Sequence, residues 1–159
     1  MKRHVLTTIG LAFLLSACSR GGRLVTTEPR VSDVAGRYTF SHSKFGSRVD
    51  AEILSSAKEA YIDLKTNGEV VLHKVPIIPE SRSQGFGIDE FRSGSGTYKI
   101  AALGSTAKSA FYGLYLTVGT LPDPMGHPRF RQKDQSLSLS FEYFDGDFTE
   151  RMVFTRQKQ

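Results

Sequence analysis

The residues with the clearest potential for chemistry lie in a proline-rich stretch in the last quarter of the chain. Asp123 and His127 are close enough in sequence for a carboxylate and an imidazole to meet, and such a pair can act as general base and acid. Nucleophilic catalysis would also need a serine or cysteine beside the base, and no motif marks one. We therefore predict that the protein is not an enzyme. The same stretch is instead a candidate partner-binding loop, through Asp123, His127, Arg129 and Phe130.

Metal chemistry is not indicated either. His42, His73 and His127 are far apart in the sequence and lack the short spacing of a zinc site. The acidic segment at 145–150 is too short for a calcium-binding EF-hand loop, which spreads its oxygen ligands over twelve residues. A turn between two strands explains this segment, so we predict no metal ion and no cofactor.

The cysteine content points to an export signal. Cys18 is the only cysteine of the 159-residue chain, and it follows an apolar run that starts at Val5 and is preceded by Lys2 and Arg3. The run is shorter than the about 20 apolar residues that span a bilayer. A positive start, a short apolar core and small residues at the end are typical of a cleaved signal peptide.

The end of this signal, Leu15-Ser16-Ala17-Cys18, resembles the lipobox of bacterial lipoprotein precursors. The resemblance implies that residues 1–17 are removed and that the Cys18 thiol carries a diacylglyceryl group, usually with an acylated amine. Each buried methylene contributes roughly 0.8 kcal/mol, so two or three chains would anchor the protein to a membrane lastingly. Ser19 stands where lipoproteins retained at the inner membrane tend to have Asp, which implies the outer membrane of a Gram-negative envelope, facing the periplasm.

The composition limits the partners of the mature chain. Without Lys2 and Arg3, 19 basic side chains face 16 acidic ones, and no polybasic run is present. This charge pattern does not favour nucleic acid as a partner. An acylated Cys18 leaves no thiol for a disulfide, so the fold must depend on its apolar core.

The chain divides into three parts. Residues 1–17 form the signal peptide, and residues 18–32 contain few large apolar groups and are predicted to be a lipidated, flexible tether. Residues 33–159 form one predicted β domain, long enough to bury roughly two-thirds of the surface of its unfolded chain.

Two hairpins carry the fold prediction. The Asn67-Gly68 dipeptide between alternating apolar residues is a strong turn signal. A three-residue loop with Gly68 left-handed is preferred, because a slip of one residue would turn each side chain to the opposite face. This register pairs Leu64 with Val70 and Ile62 with Leu72.

The second predicted hairpin turns at Asp145-Gly146 with a two-residue loop. The alternation of leucine and serine from Leu137 to Ser140 is typical of a half-buried strand. The predicted register sets Phe141 opposite Glu150, and it also pairs Tyr143 with Phe148, Leu139 with Met152 and Leu137 with Phe154.

Further strands are predicted at 36–42, 97–103 and 111–119, a short helix at 47–57, and long loops at 76–95 and 120–135. Several strands separated by turn signals indicate an all-β sandwich or barrel. The motifs Gly36-Arg37-Tyr38, Tyr61-Ile62-Asp63-Leu64, Gly96-Thr97-Tyr98-Lys99-Ile100 and Arg151-Met152-Val153-Phe154 resemble those of small lipocalin-like bacterial lipoproteins. The resemblance implies an antiparallel meander that closes into a barrel or a flattened sandwich.

The functional expectation is a non-enzymatic binding or interaction module at the cell envelope. Inward-facing aromatic and aliphatic residues can fill a small barrel or line a pocket for one small apolar ligand. The candidate lining residues are Tyr38, Phe40, Tyr98, Leu114, Leu116 and Tyr143. Binding of an envelope protein through the long loops, an enzyme acting on envelope lipids or glycans through the 120–135 loop, and a purely structural lipoprotein are the alternatives.

Overall fold

The computed structural model describes residues 22–44, 55–77, 90–105, 107–119, 121, 127–145 and 148–158. The predicted signal peptide, the Cys18 lipidation site and most of the predicted 47–57 helix lie outside these ranges. The described part has a four-residue helix α1 (Val31–Val34), a short 3-10 helix (Ala57–Glu59) and nine strands. The strands are β1 (Arg23–Leu24), β2 (Gly36–Lys44), β3 (Tyr61–Leu64), β4 (Glu69–Ile77), β5 (Glu90–Ser105), β6 (Ala110–Thr117), β7 (Arg129–Lys133), β8 (Ser136–Asp145) and β9 (Phe148–Arg156).

Strands β2 to β9 form a closed antiparallel barrel. Each strand pairs with the next one in the chain, and β9 returns to pair with β2. The all-β antiparallel meander is therefore confirmed, and of the two predicted architectures the closed barrel is the correct one. An eight-stranded barrel has an interior just wide enough for its own side chains to fill.

The first hairpin forms in the predicted register. Ile62 pairs with Leu72 and Leu64 with Val70, which leaves residues 66–68 as the loop. Gly68 adopts a φ of +87°, where a side chain would be strained. The Asn67 side chain accepts a hydrogen bond from the Glu69 amide at 3.1 Å and fixes the turn.

The predicted register of the second hairpin is wrong by two residues. Leu139 pairs with Phe154 rather than with Met152, and Phe141 pairs with Met152 rather than with Glu150. A shift of two residues keeps every side chain on its predicted face. It also replaces the mismatch between Phe141 and Glu150 by a contact between two buried apolar residues.

Residues 22–32 fall within the predicted tether, and in the structure residues 23–25 are hydrogen-bonded to the barrel. β6 and β7 pair directly at one described residue pair, and β1 fills the gap between them. The Val25 amide donates to the Phe130 carbonyl at 3.1 Å, and the Tyr112 amide donates to the Val25 carbonyl at 2.9 Å. The Leu-Val-Thr-Thr run at 24–27 is rich in β-branched residues, which suits this strand-like insertion.

Residues 25–35 then close the end of the barrel at which β2 begins, here named the closed end. Val34 of α1 is fully buried in the core, and Val25 packs against it. The Arg156 guanidinium donates to the Asp33 carbonyl at 2.7 Å and also to the Ala35 carbonyl, which ties the last strand to this segment.

The opposite end, here named the loop end, carries the connections that follow β2, β4, β6 and β8. Both predicted loops are shorter than expected. Pro76 and Ile77 belong to β4, residues 90–95 belong to β5, and residues 129–133 form β7 inside the predicted 120–135 loop.

Candidate functional site

The interior of the barrel is a packed apolar core. Four of the six predicted ligand-lining residues belong to one buried cluster: Tyr38, Tyr98, Leu114 and Leu116. Phe40 is partly buried against that cluster, and the Tyr143 side chain lies outside the described residues. The Phe154 ring makes edge-to-face contacts with Phe40 and Phe141 at centroid distances of 5.8 and 5.7 Å. These contacts favour side-chain filling over a ligand pocket.

Two tyrosine hydroxyls hold the closed end rather than facing a ligand. The Tyr38 hydroxyl donates to the Val34 carbonyl and the Tyr98 hydroxyl donates to the Lys65 carbonyl, both at 2.7 Å. Burial raises the pKa of the Tyr38 phenol far above its ordinary value and also raises the pKa of Tyr98. Both hydroxyls therefore stay protonated donors at neutral pH.

The described residues of the predicted partner loop differ in exposure. Asp123 lies outside the described residues, and His127 is exposed, with its ring edge-on to the Tyr115 ring at 4.3 Å. Phe130 is fully buried in the core, where its ring is not accessible to a partner. Its side chain faces inward because β7 alternates, which places Arg129 on the outer wall.

An ionic cluster on the outer wall of β7 and β8 is the main polar site of the described chain. The Glu142 carboxylate is 3% exposed and accepts a hydrogen bond from Arg129 Nη1 at 2.6 Å. Arg131 donates to it through Nε at 2.8 Å and Nη2 at 2.5 Å. The fully buried Ser140 hydroxyl adds a fourth donor at 3.2 Å. We name these residues the Glu142 cluster.

The cluster is joined to the N-terminal segment and to an aromatic ring. Arg131 Nη1 donates to the Gly22 carbonyl at 3.1 Å. Glu142 therefore fixes the position of the arginine that binds the N-terminal segment. The Arg129 guanidinium lies over the Phe111 ring, 4.7 Å from its centroid, which adds a cation–π contact.

Two further basic residues extend the cluster across the outer wall. In the strand registers Arg151 of β9 is opposite Glu142 of β8, and Lys44 of β2 is opposite Arg151. The inward neighbour Met152 is fully buried, which confirms that Arg151 faces outward. Lys44 is exposed, whereas Arg151 is partly buried.

The spacing of four residues in the sequence is a signal for this site. Arg129 and Arg131 are two residues apart, and so are Ser140 and Glu142, as expected for the outer faces of two paired strands. The prediction of a loop over 120–135 hides this signal, because it gives residues 129–133 no strand faces.

The described ranges contain no group of three or more His, Cys, Asp or Glu side chains able to hold a metal ion. No helix in this part of the chain is long and apolar enough to cross a membrane. The fold and site thus define an eight-stranded up-and-down barrel with an ionic cluster on its outer wall. The chain matches no protein-family model, no curated protein and no solved structure.

Proposed function

We propose that the protein is a lipid-anchored lipoprotein of the bacterial cell envelope that serves as a non-enzymatic interaction module. The observation that carries the proposal is the position of Gly22, which lies beside β7 at the closed end, four residues after Cys18. A lipid on Cys18 would hold the closed end near the membrane. Four residues span at most about 14 Å when extended.

This arrangement would direct the loop end away from the membrane. β8 has ten residues and runs from the closed end to the loop end. At about 3.4 Å per residue, and with the tilt of about 40° that barrel strands have, it separates the two ends by roughly 25 Å. The loop end would therefore face the periplasm, where its four connections could contact a partner.

A protein partner is a better proposal than a small apolar ligand. The inward side chains of the described strands pack against one another, which leaves the predicted lining residues engaged with the core. Exposed aromatic side chains occur instead on the outside of the barrel, where Phe91 is 40% and Tyr115 is 46% exposed. Phe91 lies near the loop end, at the start of β5 and opposite Pro76, and aromatic residues are enriched in protein interfaces.

The anchor is tested by producing the full chain in a bacterial host fed with a clickable fatty acid. We expect label in the native protein and none in Cys18→Ala, which should also accumulate as the longer precursor. Ser19→Ala, a matched control, should keep the label and the outer-membrane fraction. Ser19→Asp should move the protein to the inner membrane. A native protein without label, free of the membrane fraction, would refute the anchor.

The interaction role is tested with a photo-crosslinking residue at Phe91 near the loop end or at Asn67 in the closed-end hairpin. We expect crosslinks to a defined envelope protein from position 91 and none from position 67. Crosslinks from neither position would favour a purely structural lipoprotein. The enzyme alternative predicts instead a turnover that His127→Ala abolishes while the barrel stays folded.

A further inference from the structure

Arg151 and Lys44 form a pair of cations beside the Glu142 cluster. In the strand registers Arg151 of β9 is opposite Glu142 of β8 on one side and Lys44 of β2 on the other. Arg151 is partly buried and Lys44 is exposed. Like charges repel more strongly where the surrounding dielectric is low. An anion between these two cations would relieve that repulsion.

The bonds of the Glu142 carboxylate run to β7 and along β8 rather than to Arg151. Its Oε1 atom accepts from Arg131 Nε and Nη2 and from the Ser140 hydroxyl, and its Oε2 atom accepts from Arg129 Nη1. None of these bonds comes from Arg151, although Arg151 is its direct neighbour across the strand pair.

Arg151 is left with an unsatisfied donor. Its Nε atom is buried and has no hydrogen-bond partner, and within the described residues Arg151 forms no ion pair. A buried donor without an acceptor costs about 1–3 kcal/mol, and more when the group is charged. Such a donor calls for an explanation, and an anion bound by the guanidinium would supply one.

We propose that Arg151 and Lys44 form a binding site for a phosphate group on the outer wall of β9, beside the Glu142 cluster. The guanidinium fork matches two phosphate oxygens, and the exposed Lys44 ammonium can reach a third. A phosphate carries up to two negative charges, which suits the two positive charges of Arg151 and Lys44. The proposal goes beyond the anchored interaction module and holds whether or not Cys18 is acylated.

The test compares thermal unfolding of the full-length protein in chloride and in inorganic phosphate at equal ionic strength. If Cys18 is acylated, the protein is placed in phosphatidylcholine vesicles. We expect phosphate to raise the unfolding midpoint of the native protein, because a ligand that binds only the folded state stabilises it. Arg151→Gln should weaken phosphate binding about tenfold or more, as expected when a charge-assisted hydrogen-bond pair is lost.

Arg23→Gln is the matched control, since Arg23 is exposed and the change removes the same charge. It should respond to phosphate like the native protein. Phosphate also stabilises proteins generally by exclusion from their surface. An equal shift in all three proteins would therefore overturn the proposal. Lys44→Gln should weaken binding less than Arg151→Gln, because the ammonium is exposed.

A second arm distinguishes the source of the phosphate. The vesicles are prepared with phosphatidylglycerol in chloride alone, so that a lipid headgroup offers the phosphate. A midpoint raised in the native protein and in Arg23→Gln but not in Arg151→Gln would identify a headgroup as ligand. A response to inorganic phosphate alone would identify a soluble phosphate compound, and no Arg151-dependent response in either arm would refute the site.

Discussion

Replacing Glu142 by Gln should destabilise the barrel substantially. The carboxylate is 3% exposed, and its partners Arg131 and Arg129 are 15% and 23% exposed. Breaking a buried ion pair by removing one partner typically costs 3–5 kcal/mol. The two guanidinium groups keep some access to water, and Gln retains one acceptor oxygen. We therefore expect a loss of about 3 kcal/mol, the lower end of that range.

The assay is equilibrium unfolding in urea, followed by circular dichroism at low and at high sodium chloride. Glu69→Gln is the control, because Glu69 is an exposed acidic residue in the β3–β4 hairpin and its loss should change stability by no more than about 0.5 kcal/mol. Buried pairs are screened little by salt, so the effect of Glu142→Gln should be similar at both salt concentrations. A loss below about 1 kcal/mol, or one that vanishes at high salt, would show that the cluster behaves as a surface salt bridge.

Three further predictions concern the core, the closed end and the pH dependence. Leu114→Ala removes a fully buried side chain and should cost 2–5 kcal/mol in urea unfolding. Gly22→Val places a side chain at φ +72°, 3.0 Å from the Gln132 carbonyl oxygen. It should destabilise the N-terminal segment by about 1–2 kcal/mol. The measurement is hydrogen exchange of the Val25 amide, which should become faster. Burial raises the pKa of Tyr38 above 10.0. The contribution of this buried phenol to the free energy of unfolding is therefore fully present below pH 10, and it should fall above pH 10 by up to about 1.4 kcal/mol per pH unit. Tyr38→Phe should reduce this slope.

Each of these predictions has a control or a contradicting result. Tyr115→Ala, next to Leu114 but 46% exposed, should change stability by no more than about 0.5 kcal/mol. Unchanged exchange at Val25 in Gly22→Val would mean that the N-terminal segment is not held by its backbone position. An identical alkaline slope in Tyr38→Phe would mean that other groups, such as Tyr98, dominate the titration.

Local signals predicted the fold where the chain turns tightly. The β3–β4 hairpin was predictable to its register because Asn67-Gly68 fixes the loop and apolar residues match across it. The β8–β9 hairpin was predicted with the correct strands and faces but in the wrong register. The predicted register places Glu150 opposite Phe141, and this mismatch indicates the error. The observed register places Met152 opposite Phe141.

Local sequence signals do not predict which distant strands pair with one another. The polar sequence Arg-Phe-Arg-Gln-Lys of β7 follows three prolines and gives a weak strand pattern, which hid the outer position of Arg129 and Arg131. The insertion of β1 between β6 and β7 depends on a gap that exists only in the closed barrel. The Glu142 cluster needs both features, so it could not be assembled from the sequence alone.

The insertion of β1 also determines the order in which the molecule can fold. The Arg131 guanidinium and the Gly22 carbonyl that accepts from it are 109 residues apart, and Arg156 and Ala35 are 121 residues apart. Contacts of such sequence separation give a high contact order, and domains of this kind fold in milliseconds to seconds rather than microseconds. The β3–β4 hairpin can form alone, whereas β1 cannot pair before β7 is synthesised and the seam between β2 and β9 cannot form before the last strand is synthesised. The nascent chain therefore carries unpaired strand edges until its final residues emerge, and chaperone binding during that interval is the expected means of keeping it from aggregating.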